Sequence, residues 1–188
     1  SSSAVVYYAM KAAVTLGYPI PPPEMTHVCM DLLDLVIAAM NAYSGDARIQ
    51  ECGCEVIAVL ARMEMMQEPI ITKKGIAAIC KALKNFSQDT GIQRKGCRAF
   101  ANLGEFQASR EAIRNEGGIP LIVVGMKYHV SHPEVGEQGC AAIANLALDE
   151  ENRTVIAKNE GVNAVLAGLR LHQQHSGIQA FGLGALGN

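Results

Sequence analysis

The sequence predicts an all-α fold: a right-handed α-solenoid of stacked three-helix units with a period of 43 residues. Three observations carry this. Glycine recurs at Gly53, Gly96, Gly139 and Gly182, each 43 residues from the next. Apolar residues keep the same step at Ile49, Ile92, Val135 and Ile178, at Ile57, Phe100, Ile143 and Leu186, and at Ile70, Ile113 and Ile156, while Gly75, Gly118 and Gly161 follow it too. Within each period the last stretch is amphipathic at helical spacing. Ile92, Gly96, Phe100 and Leu103 share one face, as do Val135, Gly139, Ile143 and Leu146. A unit this small cannot bury its apolar face alone, so it must stack on copies of itself.

The elements follow in order. Residues 1–18 read as the third helix of a partial unit, with Ala4 to Gly17 as its helical part. Residues 19–23, Pro19 to Pro23, read as a lengthened linker. Residues 24–62 form a divergent unit, in which Leu32 and Leu33 take the places of Gly75 and Ile76. Units follow at 63–105, 106–148 and, truncated, 149–188, all in one solenoid domain. The third unit is the clearest. Ser109 to Arg114 is a short helix with Ser109 at its N-cap, and Asn152 takes that place in the next unit. Gly117-Gly118 ends the helix and turns the chain. Ile119 to Tyr128 is a second helix, with Pro120 tolerable in its first turn. A corner from His129 to Pro133 leads to a third helix over Glu134 to Leu148. Both ends fall inside units, an expectation of a fragment or of a place where another domain or a second copy docks.

Composition narrows the functional classes. The 188 residues are 49% hydrophobic, enough for a sizeable core and too apolar for a disordered tail. With 16 basic against 18 acidic residues, neither nucleic acid nor an anionic membrane is the expected partner. No apolar run reaches the ~18 residues of a membrane helix, and no signal-peptide pattern opens the chain. The six cysteines then read as reduced, buried small hydrophobes in a cytoplasmic protein.

The run Ile92-Gln93-x-x-Gly96-Cys97-x-Ala99-x-Ala101-Asn102-Leu103, its echoes at 135–146 and 178–188, and Asn152-Arg153-x-x-Ile156-Ala157-x-x-Glu160-Gly161 resemble armadillo repeats. The likeness covers about 46–188 well and 24–45 more weakly. It implies a non-enzymatic scaffold that holds an extended peptide in a groove lined by the third helices. In that family a recurrent asparagine amide pairs with the peptide backbone. The matching positions are Asn102, Asn145 and Asn188, and the first full unit departs from the pattern with Val59.

Residues four, seven and eight before each of these positions share its helix face. They are Glu55, Cys52 and Glu51, then Arg98, Lys95 and Arg94, then Ala141, Gln138 and Glu137, then Gly184, Phe181 and Ala180. The groove is mixed, with one basic cluster (Arg94, Lys95, Arg98) between acidic neighbours. Its complement is an extended, partly acidic segment of another protein. Nuclear-import adaptors of this family stack a lysine stem on a Trp one turn before the Asn. Here that place holds Arg98, Ala141 and Gly184, and the chain has no Trp. A second reading is architectural: a spacer or self-association module acting through exposed terminal repeats.

Other motifs yield to structural explanations. Gly182-Leu183-Gly184-Ala185-Leu186-Gly187 matches a dinucleotide fingerprint, but no strand precedes it and no acid follows. His129 and His132 recur 43 residues on as His172 and His175. Imidazoles at one corner are zinc-ligand types, yet the pairs read as a solvated corner inherited by duplication. Cys52-Gly53-Cys54 lacks a second ligand pair. Glu51 and Glu55 read as a groove wall, not an acid–base pair. Met63 to Met66 reads as the end of a third helix packing into the next unit. No cofactor, metal or catalytic dyad is expected.

Overall fold

The structure, a computed structural model, describes residues 3–5, 7–8, 10–11 and 26–188. The described residues before 12 are helical, within the partial unit expected over 1–18 and beginning one residue before Ala4. The rest of that helix and the linker at 19–23 lie outside the described residues. From there the chain runs α1 (Thr26–Ala42), α2 (Ala47–Leu60), a 3-10 turn (Glu64–Met66), α3 (Gln67–Thr72), α4 (Gly75–Asn85) and α5 (Thr90–Leu103). It continues as α6 (Gln107–Asn115), α7 (Gly118–Tyr128), α8 (Pro133–Leu146), α9 (Glu150–Lys158), α10 (Gly161–Leu171) and α11 (Ser176–Gly187). Among the described residues the fold is all-helical.

The elbow between short and second helix has one recurring cause. Lys74, Gly117 and Glu160 adopt left-handed backbone, with φ of 67°, 75° and 62°. The glycine after each starts the second helix in a tight place. A Cβ on Gly75, Gly118 or Gly161 would fall 2.9, 2.7 or 2.5 Å from the Cγ2 of Ile70, Ile113 or Ile156. In the divergent unit Asp31-Leu32 stands at these positions, and Leu32 carries the side chain that the elbow cannot hold. The two helices therefore fuse into the 17-residue α1, which corrects the expectation of three helices in that unit.

The N-caps also differ from expectation. Helix α6 starts at Gln107 after Phe106, so Ser109 lies inside it. Ser109 is fully buried and donates its hydroxyl to Gln67 Oε1 of α3 at 2.6 Å. The cap of α9 is Asp149, whose Oδ1 accepts from the Asn152 N–H at 3.1 Å. Asn152 is fully buried, where its amide donates to Leu146 O and accepts from Arg114. Both side chains are thus spent on a neighbouring element rather than on capping their own helix.

Like elements pack on like. Helices α2, α5, α8 and α11 lie side by side, as do α1, α4, α7 and α10, and α3, α6 and α9. Within a layer the recurrent glycine of each third helix receives one large side chain from the second. A Cβ on Gly53, Gly96, Gly139 or Gly182 would fall 2.4–2.8 Å from Met40, Leu83, Met126 or Leu169. The apolar face expected on α5 and α8 is buried: Ile92, Phe100, Leu103, Val135, Ile143 and Leu146 are at most 2% exposed.

Glutamines absent from the expected core close the same corner. Gln50 donates its amide to the carbonyls of Met40 and Tyr43, Gln93 to those of Leu83 and Phe86, and Gln179 to those of Leu169 and His172. These acceptors lie at the second-helix C-termini, where the carbonyls of Tyr43, Phe86 and His172 also accept the N–H of Asp46, Asp89 and His175. Gly136 holds this position in the third unit, and there Ile178 of the next layer moves in against it.

Gly96→Ala is expected to lower stability by about 1–3 kcal/mol, because overpacking against Leu83 outweighs the helix-propensity gain. Urea melts of Gly96→Ala, Leu83→Ala and the double variant check this. The double variant should lose less than the two single losses combined.

Candidate functional site

The face of α2, α5, α8 and α11 opposite their glycines carries the residues singled out from the sequence. Asn102, Asn145 and Asn188 form a row along it. Each Nδ2 donates to a carbonyl of the preceding third helix: Asn102 to Ala58 O at 2.7 Å, Asn145 to Ala101 O at 2.8 Å, and Asn188 to Ala144 O at 3.0 Å. One N–H of each amide is thus committed to stacking. The second N–H and the Oδ1 have no partner among the described residues. Val59, at the same position in α2, is buried.

The basic cluster is not free as the sequence implied. Lys95 Nζ lies 3.0 Å from Glu51 Oε1 and 2.9 Å from Glu55 Oε2. Arg98 Nη1 lies 3.1 Å from Glu55 Oε1. Linear spacing places the carboxylates one period away, and stacking brings them onto the cations. Arg94 alone of the three makes no ion pair among the described residues. Burial works against the Lys95 charge, but hydrogen bonds and charge from Glu55 and Glu51 outweigh it and hold its pKa above the ordinary value. A cavity of about 330 Å³ adjoins this cluster, where Tyr7, Lys11 and Arg48 meet Glu51, Glu55 and Lys95. The Tyr7 ring lies 5.8 Å from both Lys11 Nζ and Arg48 Cζ.

At the α8 and α11 end the face changes character. Glu137, Gln138 and Asn145 are half-buried and Ala141 is buried, while Ala180, Phe181, Gly184 and Asn188 are exposed. Glu137 Oε2 lies 3.8 Å from His175 Nε2. No Lys or Arg among the described residues pairs with it.

The histidines join neighbouring layers. His129 is buried, with Nε2 2.8 Å from Ser87 O and Nδ1 3.4 Å from Thr90 Oγ1. His172 repeats the contact on Val130 O at 2.7 Å. His175 Nδ1 accepts from the Ile178 N–H at the start of α11, and His132 Nδ1 lies 3.5 Å from Glu134. No group of three or more His, Cys, Asp or Glu that could hold a metal occurs among the described residues.

The six cysteines are free and buried. Burial pushes the Cys54, Cys97 and Cys140 thiols up to about 12 and Cys52 to about 11. No helix among the described residues is long and apolar enough to cross a membrane.

No family model matches the chain, and no curated protein does. Solved structures do resemble it, and they are engineered proteins. Northeast Structural Genomics Consortium target OR366 superposes with a TM-score of 0.85 at 16% identity, over 98% of this chain and 74% of that one. Target OR329 gives 0.74 at 19% identity, over 98% and 83%. Target OR497 gives 0.51 at 18% identity, over 88% and 50%. At these identities the likeness is one of fold.

Two outcomes are expected. In native protein at pH ~8, Cys54, Cys97 and Cys140 resist iodoacetamide and react only after urea unfolding, as read by mass spectrometry, because the thiolate is the reacting form. The Lys95 contribution is complete below the ordinary lysine pKa of about 10.4 and is lost as pH rises through its raised value. Lys95→Met should therefore flatten the alkaline limb of stability against pH.

Proposed function

We propose that this protein is a right-handed armadillo-type solenoid acting as a non-enzymatic scaffold, and that it binds an extended, partly acidic segment of another protein. The segment lies along the groove lined by α2, α5, α8 and α11. The observation that carries the reading is the asparagine row. Its members stand in one line on one face, and each is oriented by a hydrogen bond to the neighbouring third helix. Side-chain amides held in place give a peptide backbone donors and acceptors at little further ordering cost. Arg94 is the cation left to meet an acidic side chain, since Lys95 and Arg98 are paired within the chain. A cytoplasmic setting belongs to the same proposal and rests on the free cysteines.

A second reading has its own observation. In the last layer Val162, Leu183 and Leu186 are exposed, Leu183 by 61%, although their counterparts one period earlier, Ile119, Cys140 and Ile143, are buried. Self-association through this end would cover them. Light scattering separates the two readings: a monomer favours the groove, a stable dimer the architectural role.

Selection of twelve-residue peptides from a displayed library tests the groove. Asn102→Ala with Asn145→Ala should weaken a selected peptide by tenfold or more. Each substitution alone should cost about 0.5–1.5 kcal/mol of stability through its lost stacking bond. Unchanged affinity in the folded double variant would remove the groove assignment.

A further inference from the structure

The second helices lie behind the asparagine row, because each third helix turns its glycine toward them. Their outer surface also repeats. Lys84, Lys127 and Arg170 keep the 43-residue step in the last turns of α4, α7 and α10, where the helix dipole favours cations. The dipole does not account for what surrounds this row. Lys81 adds a cation one turn earlier on α4. In its place on α7 stands Val124, and in the place of Asn85 stands Tyr128; they are 52% and 56% exposed. Helix α7 has α4 packed on one side and α10 on the other, so these two side chains are exposed by the direction in which they point, not by the end of the array. Leu171 repeats the 56% exposure of Tyr128 on α10. The Tyr128 ring is braced edge-on against His129, with centroids 5.1 Å apart. The bond from His172 to Val130 O ties the Leu171 end of α10 to the corner after Tyr128.

The cations here differ in what they have left to give. Lys127 is paired with Glu160. Lys81, Lys84 and Arg170 are exposed and make no ion pair among the described residues. We propose that this outer face docks an amphipathic helix of a partner protein. The apolar stripe of that helix covers Val124, Tyr128 and Leu171, and Asp or Glu beside the stripe meets Lys81, Lys84 and Arg170. Neighbouring helices about 8–10 Å apart leave a furrow that the side chains of a third helix fill. A helix also satisfies its own backbone. An extended segment would set its N–H and C=O groups against Val, Tyr and Leu side chains, of which only the Tyr128 hydroxyl can answer them. The net charge of −2 gives an anionic membrane no long-range attraction toward the face. This surface is separate from the asparagine row and does not rest on it.

The probe is a fluorescein-labelled, hydrocarbon-stapled eighteen-residue helix with Leu at every third or fourth position and Glu on both sides of that stripe. Matched copies carry Gln or Lys in place of Glu, and an unstapled copy carries two prolines in its centre. By anisotropy the Glu helix should bind the full chain, lose about 3–30-fold on the Gln change through its exposed ion pairs, and weaken further in high salt. The proline copy should not bind. Tyr128→Asn with Val124→Gln should cost tenfold or more with the melting temperature unchanged. Lys81→Glu with Lys84→Glu should reverse the preference, Lys helix over Glu helix. Asn102→Ala with Asn145→Ala should leave this binding untouched. The proposal falls if no stapled helix binds at millimolar concentration, if Glu, Gln and Lys helices bind alike, or if the folded Tyr128→Asn, Val124→Gln variant keeps its affinity. It also falls if vesicles of equal parts phosphatidylserine and phosphatidylcholine sediment with the chain and release that variant, because the face then belongs to lipid.

Discussion

The structure depends on the interlock between a glycine in each third helix and a large side chain of the second helix before it. Met40, Leu83, Met126 and Leu169 each reach into the place where a Cβ would stand on Gly53, Gly96, Gly139 and Gly182. A helix seated this deeply has one rotation about its axis. That rotation buries Ile92, Phe100 and Leu103 on one side of α5 and leaves Arg94, Lys95, Arg98 and Asn102 on the other. Repetition of the interlock aligns the outward faces of α2, α5, α8 and α11. Helix propensity opposes glycine here by roughly 1 kcal/mol, and close packing offsets it.

Helices this short leave many open carbonyls at their ends, and the chain closes them from neighbouring elements. Gln50, Gln93 and Gln179 serve the second-helix ends. Gln67, Arg110 and Arg153 donate to Ala61 O, Gly104 O and Ala147 O at the third-helix ends. His129 and His172 join one corner to the next through Ser87 O and Val130 O. Each set keeps the 43-residue step, so a buried polar side chain in one layer is explained by its counterpart in the next.

Charge on the third-helix face is distributed by stacking, not by sequence proximity. Glu51 and Glu55 neutralise Lys95 and Arg98 across one seam. Across the last seam Ala141, Phe181 and Gly184 replace the ion pairs. Among the described residues the Lys and Arg ion pairs of this face lie at the α2/α5 seam.

The sequence alone determined the helical class, the 43-residue spacing of the glycines and the apolar face of α5 and α8, because these follow from spacing along the chain. The elbow at Gly117-Gly118 was legible for that reason, as was the second helix, expected over Ile119 to Tyr128 and found over Gly118–Tyr128. The fused α1, the caps Phe106 and Asp149, the burial of Ser109 and Asn152, and the pairing of Lys95 and Arg98 were not. A Gln50, Gln93 and Gln179 ladder was visible in the spacing but had no meaning until its acceptors were placed. Tertiary structure decided which polar groups are spent on holding layers together and which remain for a partner. Both partners of each such bond come from helices distant in sequence, and only packing sets the distance between them.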